Sequence, residues 1–392
     1  MAKQNATPYY RCLKKMRKQL IIILNIFLFT QLTSCQNMEH YKTEKFEWEG
    51  DATAPEDYPM WIIHPHSFIL SDGYQAVIPN DSFMADGWEG SANSWSIGES
   101  NKPMPDSLKI AWYSYTENKF YKGNFKMPQE KTYNLFKEGY LIYGIDTKRL
   151  VHDGYDKKEL HKETYSSTTV GLAPKGMVVV WASGQNKIEI GRFQGEEVPE
   201  GPEANRMWEQ ITDLSSRSIV VKKRFEKYTP EVQQEVLQGK ISSKKWDDYR
   251  IRYPWKIVFN QKLEVYDFYA RFFNSEKIGL PPTTDQESYN KIILENKPKA
   301  VPSDFGIFVK TLNGIKYWIR VNSCDEDEII EVFKKINQIS PNQDITIQIN
   351  INETFTKMDV IIKNDINEVV LEKCKTKLIL IDKRTEEILK KY

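Results

Sequence analysis

The sequence predicts an α+β fold that is mostly β: an antiparallel sheet or sandwich body with a few short helices, followed by a small C-terminal α+β module. Three observations predict it. Short runs of β-branched and aromatic residues recur between turn-forming residues. Aromatic residues make up 12% of the 392-residue chain, and nine of its ten tryptophans lie before residue 276. Past Pro281-Pro282 the composition shifts to isoleucine, lysine and asparagine, with Trp318 the one remaining tryptophan. A hydrophobic share of 40% beside 28% charged residues belongs to a folded protein and not to a disordered one.

Residues 1–34 have the layout of a secretion signal: a basic stretch Lys14-Lys15-Met16-Arg17-Lys18, an apolar run from Leu20 to Phe29, then Leu32-Thr33-Ser34-Cys35. The apolar run falls short of the ~20 residues of a membrane-spanning helix, and Asn25, Thr30 and Gln31 interrupt or border it. Met16 is an alternative start that would give the basic stretch its usual length. The four residues ending at Cys35 resemble the lipobox of bacterial lipoprotein precursors, which implies cleavage before Cys35 and lipidation of its thiol by palmitate or similar acyl chains. Several chains, each contributing roughly 0.8 kcal/mol per buried CH₂, keep a protein at a bilayer. The expected location is therefore the cell envelope, lipid-anchored at the outer membrane on its periplasmic or surface face.

The first 34 residues carry six bases and no acid, so without them the formal charge falls from +1 to −5. A mildly acidic body lacks the clustered basic face that phosphate backbones require, and nucleic acid is excluded as an expected partner. With Cys12 in the leader and Cys35 acylated, Cys324 and Cys374 are left either to pair in an oxidising envelope or to stay as two buried thiols. Sequence spacing does not choose between these.

Residues 35–57 are polar and charged and read as a tether, residues 58–300 as the β-rich domain, and residues 301–392 as the small module. In the domain, strands are expected at Met60 to Ile63, Leu108 to Tyr115, Met177 to Ala182, Lys187 to Phe193, Arg217 to Phe225 and Trp255 to Phe259. Leu108, Ile110 and Trp112 alternate with Lys109 and Ala111, the period of a strand with one buried face. Ser183-Gly184-Gln185-Asn186 between two of these runs predicts a β-hairpin. One helix opens at Pro128 and closes at Gly139, and another opens at Thr229-Pro230 and closes at Gly239. The module reads as strands Gly306 to Thr311 and Lys316 to Val321, a helix Glu326 to Gln338, then strands Ile345 to Ile351, Lys357 to Lys363 and Lys377 to Ile381. In that helix Ile329, Ile330, Phe333 and Ile336 share a face, and the acids from Asp325 to Glu328 occupy the first turn, where they favour the helix dipole.

Motif-level signs of catalysis are absent: there is no G-x-S-x-G, H-E-x-x-H, C-x-x-C or phosphate-binding loop. His64 and His66 flank Pro65 and would face one side of a strand, but no third ligand lies nearby, so neither a metal nor a cofactor is expected. The glycine-bounded segment Gly171 to Gly176 feeds a strand and not a helix N-terminus, which makes it a tight turn and not an anion cradle. Asp106, Glu117 and Glu189 lie within or beside apolar, aromatic sequence and are the candidates for acid/base work; hydrogen-bonded structural acids, for example accepting from a tyrosine or lysine across the sheet, are the default reading. The aromatics from Trp88 and Trp95 through Trp112, Tyr113, Tyr115, Phe120 and Tyr121 are core residues or a stacking face. As a face, the binding surface would comprise Trp88, Trp112, Tyr115, Glu117, Phe120 and Tyr121.

From about Tyr58 to Glu276 the chain resembles the bacterial lipoproteins of the domain-of-unknown-function 2931 family. The resemblance is carried by Tyr58-Pro59, Gly87-Trp88, Pro105-Asp106-Ser107-Leu108, Trp112-Tyr113-Ser114-Tyr115, the run from Glu117 to Gly123, Gly171-Leu172-Ala173-Pro174, Val178-Val179-Val180-Trp181, Tyr253-Pro254-Trp255, and Asn274 with Glu276. It implies an envelope lipoprotein with a β-rich body and carries no catalytic residue with it. Ser275 departs from the glycine expected there, Leu141 to Tyr165 looks like an insertion, and the residues after Val301 lie outside the resemblance.

Three functions compete on these grounds. The first is a non-catalytic binding lipoprotein with a protein partner, for example an immunity protein that masks an envelope-targeted effector such as a lipase. The second is an envelope hydrolase acting on glycan or peptide through Asp106, Glu117 or Glu189. The third is a structural subunit of an outer-membrane assembly. The first is the expectation, and it makes the protein a non-enzyme.

Overall fold

The computed structural model describes residues 40–79, 83–90, 98–144, 159–211, 215–280, 295–341 and 343–382. The leader, Cys35 and Trp95 lie outside the described residues, as does the middle of the expected insertion.

In the first half of the chain the strands are β1 (Phe46–Glu47), β2 (Glu49–Thr53), β3 (Met60–Leu70), β4 (Gln75–Val77), β5 (Phe83–Met84), β6 (Asn101–Lys102), β7 (Pro105–Ser114), β8 (Lys119–Lys126), β9 (Tyr140–Gly144), β10 (Glu159–Glu163), β11 (Ser167–Ala173), β12 (Met177–Ser183), β13 (Lys187–Gln194) and β14 (Glu196–Val198). The second half holds β15 (Tyr253–Phe259), β16 (Leu263–Phe272), β17 (Lys277–Leu280), β18 (Lys297–Lys299), β19 (Pro302–Thr311), β20 (Lys316–Asn322), β21 (Ile345–Ile351), β22 (Met358–Lys363), β23 (Glu368–Val370) and β24 (Lys375–Leu380). The helices are α1 (Gln129–Glu138), α2 (Pro202–Trp208), α3 (Arg217–Phe225), α4 (Pro230–Gln238), α5 (Lys244–Tyr249) and α6 (Glu326–Ile339).

The protein is β-rich, as its alternating and aromatic runs dictate. A nine-stranded sheet in the order β2-β11-β12-β13-β17-β16-β19-β20-β24 serves two cores. Against it packs a six-stranded sheet, β14-β8-β7-β3-β4 with β5 beside β3, and a five-stranded sheet, β18-β15-β21-β22-β23. Pairing is antiparallel except where β2 meets β11 and β15 meets β21. Val170, Leu172, Val178 and Val180 of the large sheet meet Ile62, Phe68, Leu108 and Trp112 of the six-stranded sheet in one core. Phe268, Ile307 and Ile319 meet Ile257, Ile347 and Ile349 of the five-stranded sheet, together with Ile329, Phe333 and Ile336 of α6, in the other. Pairing runs across the expected boundary near Val301, since β16 binds β19 and β15 binds β21.

The turn chemistry read from the sequence is where it was expected. Lys175 and Gly176, both with positive φ (61° and 73°), close the β11–β12 hairpin; two consecutive left-handed residues match the twist of a tight hairpin. β12 and β13 form the expected second hairpin. Helix α1 follows Pro128 and ends at Gly139, while α4 follows Thr229, whose side chain caps Val232 N, and ends at left-handed Gly239.

Two expectations are corrected. Arg217 to Phe225 is helix α3 and not a strand. Its β-branched run Ile219-Val220-Val221 suggested an extended chain, but Val220 alone of the helix is fully buried, and Lys222, Lys223 and Arg224 occupy the last turn, where cations complement the dipole. The polar tether stops well before residue 57, because β2 adds to the large sheet and Trp48, Ala52 and Ala54 are buried. Alternate residues of this acidic stretch face the core, so its overall polarity concealed the period.

Strand β7 is also buried on both faces: Leu108, Ile110 and Trp112 point into the sandwich core, and Ala111 and Tyr113 into a third cluster with Phe120, Ala204, Met207 and Val220 under α2 and α3. Cys324 and Cys374, 50 residues apart, form a disulfide that ties the entry of α6 to the entry of β24. Replacing both cysteines by alanine should lower the unfolding free energy by about 2–4 kcal/mol through the freed loop entropy. A urea midpoint unchanged from that of the oxidised parent would refute this.

Candidate functional site

The acids proposed for catalysis are each engaged in structure. Glu117, in the turn between β7 and β8, has a side chain only 2% exposed. Its carboxylate accepts hydrogen bonds from Ser114 Oγ, Tyr121 Oη and the backbone N of Lys175, each at 3.0 Å, and the Lys175 ammonium stands 3.5 Å away. It thereby clasps the β7–β8 turn to the β11–β12 turn. Burial, and then the neighbouring Glu117 charge, push the Tyr121 hydroxyl well above its ordinary pKa and keep it a donor. Glu189 receives a two-pronged contact from Arg250, Nε to Oε2 at 2.9 Å and Nη2 to Oε1 at 2.7 Å. Asp106 pairs with Lys126 across β7 and β8.

The proposed aromatic face is packed inside. Trp88, Trp112, Tyr115, Phe120 and Tyr121 are all at most 8% exposed, and they are divided among the three core clusters. Trp112 stacks on Tyr121 with centroids 5.6 Å apart, and Trp88 meets Trp181 edge-on at 5.1 Å. Aromatic density in this chain is core density.

His64 and His66 do stand together, ring centroids 5.9 Å apart, at a register shift in the β3–β7 ladder. His66 Nδ1 lies 2.7 Å from the carbonyl of Ile78, and burial lowers its pKa. Among the described residues no group of three or more His, Cys, Asp or Glu side chains could hold a metal ion.

An open concavity lies next to this histidine pair. A groove of about 670 Å³ is bounded by the His64-Pro65 bulge, the outer face of β7 and β8 at Lys109, Ala111, Lys122 and Asn124, α2 at Glu203, Arg206 and Met207, and Gln210 in the turn that follows it. It exists because the helical cover over Ala111 and Tyr113 ends where β7 and β8 turn charged. Lys122 Nζ reaches across to Glu203 Oε1 at 2.6 Å, and the Gln210 side-chain oxygen accepts the His64 backbone N–H at 3.0 Å, so sheet and helix are pinned on two sides. Lys109 and Arg206, both exposed, form no ion pair within 4.0 Å among the described residues. Such an arrangement can bind by charge and hydrogen bond; it holds no nucleophile beside a base.

Sequence reading missed the α2 side of this groove. The signal was there: Gly201-Pro202-Glu203 places proline at the first helical position and an acid in the first turn.

A second feature it missed is Lys187, a residue only 8% exposed whose ammonium lies 4.6 Å from the Trp181 ring centroid. Burial pulls its pKa down to about 8, with Lys277 adding to the effect and Asp51 and Glu89 opposing it.

A family model described as "Protein of unknown function (DUF2931)" matches residues 34–239, just over half of the chain. No curated protein and no solved structure matches it. Every residue of the groove falls inside the matched range, whereas Tyr253-Pro254-Trp255, Asn274 and Glu276 lie past its end.

Glu117→Ala should destabilise the fold by about 1–3 kcal/mol, the cost of leaving buried donors unpaired; a urea titration in which the variant matches the parent would refute the clasp. For Lys187 the folded pKa lies below the ordinary ~10.4 of a lysine, so its burial costs stability wherever the unfolded chain holds the proton more tightly. Lys187→Met should therefore raise the urea midpoint near neutral pH. That gain should shrink as pH rises through about 8 and be gone near the ordinary lysine pKa. An equal gain at both ends of this range would contradict the assignment.

Proposed function

The chain belongs to the DUF2931 family, and from that premise we propose that it is a lipid-anchored cell-envelope protein whose role is to bind a protein partner without catalysis. One observation carries the non-catalytic part. The three carboxylates that the sequence offers for hydrolysis are each engaged, Glu117 with the β11–β12 turn, Glu189 with Arg250 and Asp106 with Lys126 across β7 and β8, and Glu117 is sealed from solvent. A general acid must reach the proton it transfers, in or through a substrate-sized opening. The groove beside β7 and β8 supplies such an opening with none of these acids in its lining.

The anchored part rests on the lipobox-like Leu32-Thr33-Ser34-Cys35 and on the family match, which begins at Ser34 and so takes in Cys35 while leaving out the hydrophobic leader. No helix among the described residues is long and apolar enough to cross a membrane. The acylated cysteine would hold the body at a membrane, and an outer-membrane position, with the body in the periplasm or at the surface, is part of this proposal. An immunity protein that masks an envelope-targeted effector is one concrete form of such a binder.

Mass spectrometry of protein from the native host should find an N-terminus at Cys35 carrying diacylglyceryl and acyl groups, and Cys35→Ser should leave the leader attached and unlipidated. An unmodified thiol at residue 35 in the membrane fraction would sink the anchored reading. Turnover of a cell-wall or polysaccharide substrate that is lost on alanine substitution of Asp106, Glu117 and Glu189 would sink the non-catalytic one.

A further inference from the structure

Within an acidic mature chain the groove at β7, β8 and α2 is a local inversion of charge. Its lining holds three cations, Lys109, Lys122 and Arg206, and two acids, Glu196 and Glu203. The acids do not cancel the cations evenly. Lys122 is bound to Glu203 at 2.6 Å and sits directly opposite Glu196 in the β8–β14 register, so one lysine lies between both carboxylates. Lys109 on β7 and Arg206 on α2 are left unpaired and exposed on opposite walls. A cleft lined by surplus charge of one sign concentrates ligands of the other.

The remaining lining selects among anions. Asn124 is exposed and has no side-chain hydrogen bond among the described residues, and Gln210 uses only its oxygen, on His64 N, which leaves its NH₂ free. Free amides of this kind pair with the carbonyl and N–H groups of an extended main chain. Between them lie Ala111 and Met207, 1% and 6% exposed, a shallow apolar floor for an aliphatic side chain. A nucleic acid needs a clustered basic face, which two unpaired cations on opposite walls do not make, and a lipid tail would meet charge on every wall.

We propose that this groove binds an extended acidic peptide segment of the protein partner, its carboxylates held between Lys109 and Arg206 and its backbone amides by Asn124 and Gln210. The assignment rests on the binding-protein reading and names the chemistry of the partner. Arg206 is suited to a two-pronged grip on a carboxylate and Lys109 to a point contact.

The test uses the full chain held in neutral detergent and fluorescein-labelled tetrapeptides followed by anisotropy: acetyl-Glu-Leu-Asp-Glu, its amide analogue Gln-Leu-Asn-Gln, and Lys-Leu-Lys-Lys. The acidic peptide should bind, weaken with added salt, and exceed the amide analogue at least roughly tenfold in affinity. Lys109→Ala with Arg206→Ala should remove that preference. Lys109→Glu with Arg206→Glu should transfer it to the basic peptide; because both side chains are exposed, these variants should keep the parental urea midpoint. Equal binding of acidic and amide peptides, no binding at millimolar concentration, or an acidic preference that survives the double substitution would each overturn the assignment. None of those results bears on acylation at Cys35 or on turnover, so the anchored-binder reading stands or falls separately.

Discussion

The nine-stranded sheet is held together at one place by side chains more than by its ladder. Between β13 and β17 the register contains one residue pair, Lys187 with Lys277. What bridges the two halves is the buried turn Asn274-Ser275-Glu276. The Asn274 carbonyl accepts the Trp181 indole N–H at 3.1 Å, Glu276 Oε1 accepts the Glu189 backbone N–H at 3.0 Å, and Arg252 grips the Glu276 carboxylate at 2.7 Å. Asn186 adds a side-chain contact to Gly279 N at 2.8 Å. Buried polar groups are costly unless satisfied, so once β12 and β16 fold these partners specify a single mutual placement. Both cores depend on that placement, because the large sheet supplies a wall to each. Ser275 holds φ at 69°, a conformation that glycine adopts freely and that costs a side chain roughly 1–2 kcal/mol. The turn keeps a glycine's shape without a glycine, which indicates that its surroundings fix it.

Spending carboxylates on structure has a consequence for function. Glu117, Glu189 and Glu276 each join segments distant in sequence, and each is nearly or fully consumed by its partners. The chemically interesting residues of the interior are thus its fasteners. What remains for recognition is the rim, where the helical cover over β7 and β8 stops and unpaired charge meets solvent. A rigid sandwich that presents a pinned groove suits a binder, since little ordering entropy is then lost on association.

The sequence made most of the fold legible because its turns obey local chemistry. Pro128, Gly139, Thr229-Pro230, Gly239 and the Lys175-Gly176 hairpin each act through their own backbone, and the structure places each as read. Misreadings came where tertiary packing overrode composition. Ile219-Val220-Val221 has strand character, yet one buried valine and a basic last turn suffice for a helix. Trp48, Ala52 and Ala54 sit in an acidic stretch that is a sheet edge. The aromatic cluster was legible as dense, with core as its leading reading, but strand periodicity alone shows that a face is apolar and not what covers it. The groove was least legible of all: it joins β3, β7, β8 and α2, whose contacts are non-local, and its two free cations are ordinary residues in sequence.

The family match ends at residue 239, but the fold does not close there. Without β17 and its neighbours, the matched part would lose the one residue pair that β13 makes with β17 and the buried Asn274-Ser275-Glu276 turn whose Glu276 carboxylate accepts the Glu189 backbone N–H. Trp181 would also lose the carbonyl its indole binds, and the face carrying Met177, Val179 and Trp181 would lose part of the cluster it shares with Trp255 and Phe272. Residues beyond 239 therefore complete a sheet begun by the matched part. They do so at the side of the molecule that carries α5 and α6, while every residue of the groove comes from His64 to Gln210. Completion of the sheet and presentation of the groove are thus separable in sequence: the C-terminal strands can vary with the needs of the large core without touching the residues that line the groove.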